Sequence, residues 1–552
     1  MIFGNLTDKL AKMRREAEER DAQRKAQNLN LKYVDLSKTP VVVEALALVD
    51  EKIAREARLA VIEKKRDKLA VVAVDPASPA VKKILEDFSK KGYEYSMFAV
   101  SSSGLEHAFN FYKYAPVETE KITGKVEVED VSKLKKELST LDGFKEVLEK
   151  QEFESFNAAP VFEIILAGAL LNRASDVHLE PSEERVKLRL RIDGMLRDVF
   201  SLKTDFYKFL VSRVKLLSGL KLNISEKPQD GRFTIQLAGK NVEVRVALAP
   251  SEFGEVIVMR LLDPDSINLS LKDLGFRDDD LEIIQKNLER PDGLILNTGP
   301  TGSGKTTTLY TFLKTKKTPE IKIITIEDPI EYHLDGIEQT QVDEEEGYTF
   351  ASGLKSLMRQ DPDVLLVGEI RDKETAEIGI QASLTGHLVF STIHANRSAG
   401  AIPRLLDLGV KNVSIGPALK LIIAQRLVRR LCDKCKTSAG EEKDLKNKIE
   451  KFLDKLPKRV DMGGYKDVKI FEPKGCDNCS GIGYKGRVAI YELLEVGPET
   501  EELISKQEGE TAINKLAIDK GMTTMQQDGI LKVISGITTF DEIKGVTGPI
   551  EW

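Results

Sequence analysis

The sequence predicts an α/β protein, and three observations carry that prediction. From about residue 265 onward, short β-branched runs alternate with helical patterns, as in a mostly parallel sheet covered by helices. Gly293-Leu-Ile-Leu-Asn-Thr298 flows into a glycine-rich turn and then a helix-forming stretch, the order of a βα unit. Two later apolar runs, Ile323–Ile326 and Val364–Val367, each lead into acidic residues at the expected strand tip.

Bulk properties bound the rest. At 552 residues the chain exceeds the size at which one hydrophobic core stops growing, so three or four domains are expected. A composition 41% hydrophobic and 31% charged belongs to soluble globular proteins. With 83 basic and 89 acidic residues there is no overall attraction toward nucleic acid, and no nucleic-acid partner is expected. The longest apolar stretch, Ala158 to Leu171, contains Glu163 and falls short of the roughly 20 residues that cross a bilayer. The first residues turn charged without an apolar core, against a secretory signal, so a cytoplasmic location is expected.

In chain order, residues 1–30 read as a charged helix, solvated and partly frayed, with Leu10, Met13 and Ala17 at helical spacing. Residues 31–115 form a small α/β module with strands at Leu69–Pro76 and Glu94–Ser101. Residues 116–155, rich in Lys and Glu, read as a linker holding a charged helix. A second α/β module spans 156–264, opening on the helix VFEIILAGALLNRA and continuing into VKLRLRIDG and NVEVRVALAP. The largest part follows, 265–552.

Gly299, Pro300, Thr301, Gly302, Ser303, Gly304, Lys305 and Thr306 fit GxxxxGK[ST] without a mismatch, and Thr307 follows in the helix. Glycines let the loop curl its N–H groups toward phosphate oxygens, and the helix adds the positive end of its dipole. Lys305 then reaches the β and γ phosphates of ATP, and the Thr306 hydroxyl holds Mg²⁺. Hydrolysis also needs an acid on a neighbouring strand tip, and Glu327 and Glu369 are the candidates. Thr385–Asn396 sets His387 and His394 either side of an apolar strand, where a γ-phosphate sensor could sit. All four cysteines fall in two CxxC pairs, Cys432/Cys435 and Cys476/Cys479, separated by 40 residues. In a reducing compartment they suit one tetrahedral all-thiolate site, the closed geometry of structural Zn²⁺.

These segments in this order resemble the type II and type IV secretion ATPase superfamily. GPTGSGKTTTLY is similar to its Walker A motif, TIEDPIEY to its Asp box, LMRQDPDVLLVGEIRDKETA to its Walker B and TGHLVFSTIHAN to its His box. ASDVHLEP, RLRIDG, KPQDGRF and GEVIVMRLLD resemble its PAS-like domain, and residues 30–58 its N-terminal docking domain. The resemblance implies a RecA-like P-loop motor domain, 265–552, preceded by a PAS-like domain and a small docking domain, with a zinc insertion at about 428–490. It implies that Glu327 activates water, that Glu369 is the Mg²⁺-linked acid, and that His394 and His387 contact the nucleotide. Arg232 and Arg245 match arginines that neutralise developing phosphate charge, and Arg260 matches a residue near the base. RLCDKC and GCDNCSGIGYKGRVAIYE resemble a tetracysteine motif usual in assembly and secretion ATPases and absent from retraction ones.

The same resemblance implies a homohexamer acting on a polytopic inner-membrane platform protein, with the N-terminal module docked on a membrane-anchored adaptor. Cyclic di-GMP is not expected, because the long motifs of spaced Leu, Arg and Gly that bind it are missing. Two other classes compete. A non-hydrolysing ATP-binding scaffold usually loses an acid or the loop lysine, and here every motif is intact. A nucleic-acid translocase on a RecA-like fold lacks any basic and aromatic stripe to support it.

Overall fold

The computed structural model describes residues 4–36, 38–39, 41–65, 68–90, 92–112, 125–127, 137–153, 158–237, 240–439, 443–465 and 468–552. The chain divides into two compact units, Met1–Leu261 and Leu262–Trp552.

The first unit holds two sheets. The smaller has four strands in the order Lys32–Tyr33, Glu94–Ala99, Lys68–Ala73, Leu59–Lys65. Helix Pro79–Lys90 buries Val81, Leu85 and Phe88, spaced four and three residues apart, beside it. The expectation of a solvated N-terminal helix is corrected over its second half. Ala22 and Ala26, one turn apart, are buried, and the Glu19 carboxylate accepts hydrogen bonds from the Tyr33 and Ser101 hydroxyls. Bonds to an ionised acceptor are about twice as strong as neutral ones, so they hold a helix whose charge pattern alone reads as solvated.

The larger sheet has seven strands in the order Lys125–Glu127, Gln229–Leu237, Lys240–Ser251, Gly254–Leu262, Ala174–Pro181, Arg185–Ile192, Met195–Lys203. Period-two burial is clear in Arg185–Ile192, where Val186, Leu188 and Leu190 point into the core. Helices Ala158–Leu171 and Thr204–Leu217 supply the apolar residues that meet them. The linker expected at 116–155 is corrected for its described residues. Lys125–Glu127 pairs in parallel with Thr234–Gln236, and helix Leu141–Glu149 buries Phe144, Val147 and Leu148. Gly168 lets the Phe144 ring approach, since a Cβ there would lie 2.5 Å from it. Residues 116–124, 128–136, 154 and 155 of that stretch lie outside the described residues.

The second unit is built on a seven-stranded sheet in the order Glu338–Gln341, Ile323–Glu327, Val364–Val367, Leu388–Ile393, Gly293–Thr298, Leu419–Leu431, Tyr484–Glu495. The first six are parallel and the last is antiparallel. Gly293–Thr298, Ile323–Glu327, Val364–Val367 and Leu388–Ile393 are buried along their whole length, as strands covered on both faces must be. Their unbroken apolar runs are what the sequence reading used, and the α/β class is the one predicted. Among the described residues no helix is long and apolar enough to cross a membrane.

Candidate nucleotide site and metal centre

Because six strands run parallel, their carboxyl ends share one edge of the sheet. The phosphate loop leaves that edge after Thr298 and enters helix Lys305–Lys316. Gly302 and Gly304 take φ of 77° and 91°, a left-handed backbone that a side chain would strain. At Gly304 a Cβ would also lie 2.8 Å from Gln425 Nε2. Gln425 Oε1 accepts from Asn297 Nδ2 at 3.0 Å and from Thr308 Oγ1 at 2.9 Å, clamping strand to helix. Lys305 Nζ donates to the loop carbonyls of Gly299 at 2.8 Å and Pro300 at 3.1 Å. Burial holds the Lys305 ammonium below its usual range; the Glu369 charge pulls it up and the Arg426 guanidinium pushes it down. Among the described residues Ser303 Oγ is buried without a hydrogen-bond partner, so an uncommitted polar atom sits inside a loop whose shape suits phosphate.

The acids arrive on neighbouring strands of the same edge. Gly368 N donates to Ile326 O at 2.8 Å and Ile370 N to Thr392 O at 2.9 Å, which fixes the Glu327, Glu369 and His394 segments side by side. Glu327 is 4% exposed, and its carboxylate accepts from Tyr310 Oη at 2.5 Å, Thr325 Oγ1 at 2.6 Å and Gln339 Nε2 at 3.2 Å. Burial raises its pKa, while those three donors pull the other way. Glu369 pairs with Arg371, and its Oε2 lies 3.6 Å from His394 Nε2. Arg371 also reaches Asp328 at 3.6 Å and so bridges the two acidic tips. Thr298 Oγ1 exchanges 2.8 Å bonds with Ala395 N and O, joining the loop strand to the histidine segment.

The structure thus gathers the loop, Glu327, Glu369 and His394, but not His387. His387 O accepts from Gly293 N at the amino end of the strands, and its Nδ1 lies 3.0 Å from Ala382 O. Six strand residues at about 3.3 Å each put it roughly 20 Å from the phosphate edge, which corrects the expectation that both histidines contact one nucleotide. Arg232 and Arg245 stand directly opposite each other in the first unit's large sheet. Arg260 Nε donates to Asp176 Oδ1 at 3.0 Å, and Asp176 Oδ2 lies 3.4 Å from Arg191 Nε. Sequence reasoning missed Tyr310, Arg371 and Arg426 as members of the constellation. Arg371, two residues after Glu369, and Tyr310, five after Lys305, left a local signal inside the motif segments; Arg426 did not.

The four cysteine sulfurs lie within 4.8 Å of one another. Cys435 and Cys479 are 3.7 Å apart, Cys476 and Cys479 3.8 Å, and Cys432 and Cys476 4.0 Å. A tetrahedron with Zn–S bonds of about 2.3 Å has edges of about 3.8 Å, so the residues present fit a four-thiolate zinc site. Gly483 N and Cys476 N donate to Cys479 Sγ at 3.1 and 3.2 Å, orienting that ligand. Arg459, between the cysteine pairs, ties their insertion to the motor: it bonds Asp280 at 2.9 Å, Thr523 at 2.9 Å and the Gly521 carbonyl at 2.7 Å.

A buried parallel sheet whose carboxyl edge carries this loop, two acid-tipped strands and a histidine defines a RecA-like phosphate-loop ATPase. The chain belongs to the Type II/IV secretion system protein family, which matches residues 153–545, and an MshEN domain matches residues 29–116. It is 43% identical over 400 residues to Type II secretion system protein E of Pectobacterium carotovorum subsp. carotovorum, covering 70% of this chain and 76% of that one. Type II secretion system ATPase E of Vibrio cholerae is 40% identical over 482 residues, 84% of this chain and 93% of its own. Type IV pilus assembly ATPase PilB of Myxococcus xanthus is 36% identical over 530 residues, 94% and 89%. The Legionella pneumophila ATPase DotB shares the fold, with TM-score 0.51 and 22% identity over 70% of this chain and 95% of that one.

Proposed function

We propose that this ATPase powers assembly of a type IV pilus or a type II secretion pseudopilus, as a homohexamer at the cytoplasmic face of the inner membrane. The observation that carries the reading is an intact nucleotide edge joined to a four-cysteine centre in a chain similar along most of its length to both ATPase E and PilB. Lys305 and the backbone around Gly302 and Gly304 hold the β and γ phosphates. Thr306 and Glu369 hold Mg²⁺, which neutralises phosphate charge when bound. Glu327 takes the proton of the attacking water, and His394, next to Glu369, contacts the γ-phosphate side. The domains at 31–115 and 156–264 dock an adaptor and transmit motion, and the partner that receives the stroke is a polytopic membrane protein.

Arg232 and Arg245 are proposed to face phosphate as its charge develops. They occupy directly opposed positions of an antiparallel pair, so their side chains share one face of the sheet, where both can turn to the same anion. Arg260 is proposed to lie near the base, with Asp176 fixing its guanidinium.

The role of Glu327 has a pH signature. A base works ionised, so turnover falls as pH drops through its pKa, and burial places that limb above the ordinary carboxylate range. The Tyr310 bond favours the ionised form. Tyr310→Phe therefore moves the acid limb of the kcat–pH profile to higher pH, and an unmoved limb would take the proton-accepting role away from Glu327.

The cellular reading is tested in a strain carrying Lys305→Ala, scored together for surface filaments, exported enzymes and DNA uptake. Loss of filaments or of export with normal protein levels supports it. Normal filaments and normal export refute it.

A further inference from the structure

Arg426 occupies a place in the nucleotide edge that neither the motif residues nor their proposed roles account for. It lies on strand Leu419–Leu431, which pairs with one side of the phosphate-loop strand Gly293–Thr298, with Thr298 in register with Ala424. Its Nη2 donates to Asn396 O at 3.1 Å and Oδ1 at 3.4 Å, and Asn396 follows strand Leu388–Ile393, which pairs with the other side. The guanidinium therefore passes over the carboxyl end of the loop strand. Two further distances fix its height. Nη1 donates to Gln425 O at 3.0 Å, and a Cβ on Gly299 would lie 3.1 Å from Nη1, so the group rests on the first residue of the phosphate loop.

The electrostatics of this position point to an anion. Burial strips part of the water from both Lys305 and Arg426, and the Arg426 charge further disfavours the Lys305 ammonium, while Glu369 acts in favour of Lys305 and Glu492 in favour of Arg426. Two partly desolvated cations side by side are a cost in the free protein that phosphate oxygens convert into binding. A guanidinium is suited to this because it presents several donors in a fixed plane. Asn396 is two residues beyond His394, and His394 faces Glu369, so Arg426 stands on the side of the loop where the acids and the histidine meet.

We propose that Arg426 binds the terminal phosphate of ATP held in its own chain, and that its bond to Asn396 ties that phosphate to the histidine segment. This rests on the nucleotide site described above and adds a residue to it. It makes Arg426 a selector of ATP over nucleotides lacking the terminal phosphate.

The test compares wild type, Arg426→Ala, Arg426→Lys and Asn396→Ala, each as the full chain, for affinity toward ATP, ADP and AMP and for ATP turnover. Arg426→Ala is expected to weaken ATP binding at least about tenfold, the scale of one charge-assisted contact, while AMP binding is unchanged. Arg426→Lys keeps a charge but not the planar fork, so its ATP affinity falls between the two. Asn396→Ala leaves AMP binding intact and weakens ATP less than Arg426→Ala does. If Arg426→Ala binds all three nucleotides like wild type, or loses all three equally along with its melting temperature, the proposal is overturned and Arg426 is structural. If wild type itself binds no ATP, the nucleotide site fails first, a result distinct from either.

Discussion

Lys305→Ala lowers ATP turnover by at least about a hundredfold, the scale seen when one preorganised charge is removed from a transition state, and leaves the fold unchanged. Turnover and folding draw on two separate sets of contacts. Lys305 Nζ is the flexible cation of the loop, and its bonds go to the carbonyls of Gly299 and Pro300, which it can exchange for phosphate oxygens. The loop's own shape depends instead on left-handed Gly302 and Gly304 and on the Gln425 clamp, none of which touches the lysine side chain. Activity and folding are therefore separable at this position. Phosphate release and thermal melting, measured on the same preparation, check both. Turnover near wild type would mean the chemistry lies elsewhere, and a lowered melting temperature would mean the lysine holds the loop together.

The second large effect is on stability. Purified protein carries about one zinc per chain, and Cys435→Ser or prolonged chelation removes it and melts the cysteine insertion ahead of the motor sheet. The packing around the sulfurs explains the size of the effect. Cys432, Cys435 and Cys479 are buried against each other and Cys476, a cluster that among the described residues holds no aliphatic side chain. Metal–thiolate bonds would take the place of an apolar core there, and structural zinc binding is folding free energy of the order of 10 kcal/mol. The insertion is still held at its other end by Arg459 on Asp280 and Thr523, so a distinct early transition is expected rather than collapse of the whole unit. Calorimetry with parallel metal analysis reads it. A metal-free protein with an unchanged melting profile would show that four thiols suffice.

How far the molecule could be read from its residues follows from where the information lies. The phosphate loop, the acid-tipped strands and the cysteine pairs were legible because phosphate and metal binding demand fixed residue types at fixed local spacing. The parallel sheet was legible because fully buried strands leave unbroken apolar runs. A helix was expected within residues 116–155, but the buried face of Leu141–Glu149 was hidden by its Lys- and Glu-rich surroundings, although Phe144, Val147 and Leu148 carry the helical period. The N-terminal helix misled for a related reason: Ala22 and Ala26, its buried positions among those whose side chains are described, are small, and its anchor Glu19 resembles any solvated acid. His387 misled because a motif does not show that a strand carries its two ends to opposite edges of a sheet. Arg426 reaches the site through the pairing of strand Leu419–Leu431 with the loop strand, for which a single sequence holds no local mark.

The central claim is that the loop, Glu327, Glu369 and His394 form one site around one magnesium-bound triphosphate. The most direct measurement is a structure of the chain with Mg²⁺ and a non-hydrolysable ATP analogue. The account predicts phosphates on the backbone of residues 302–306, the ion on Thr306 with Glu369 beside it, and Glu327 within reach of the water in line with the terminal phosphate. Nucleotide bound away from Lys305, or an ion shared with neither Thr306 nor Glu369, would contradict it.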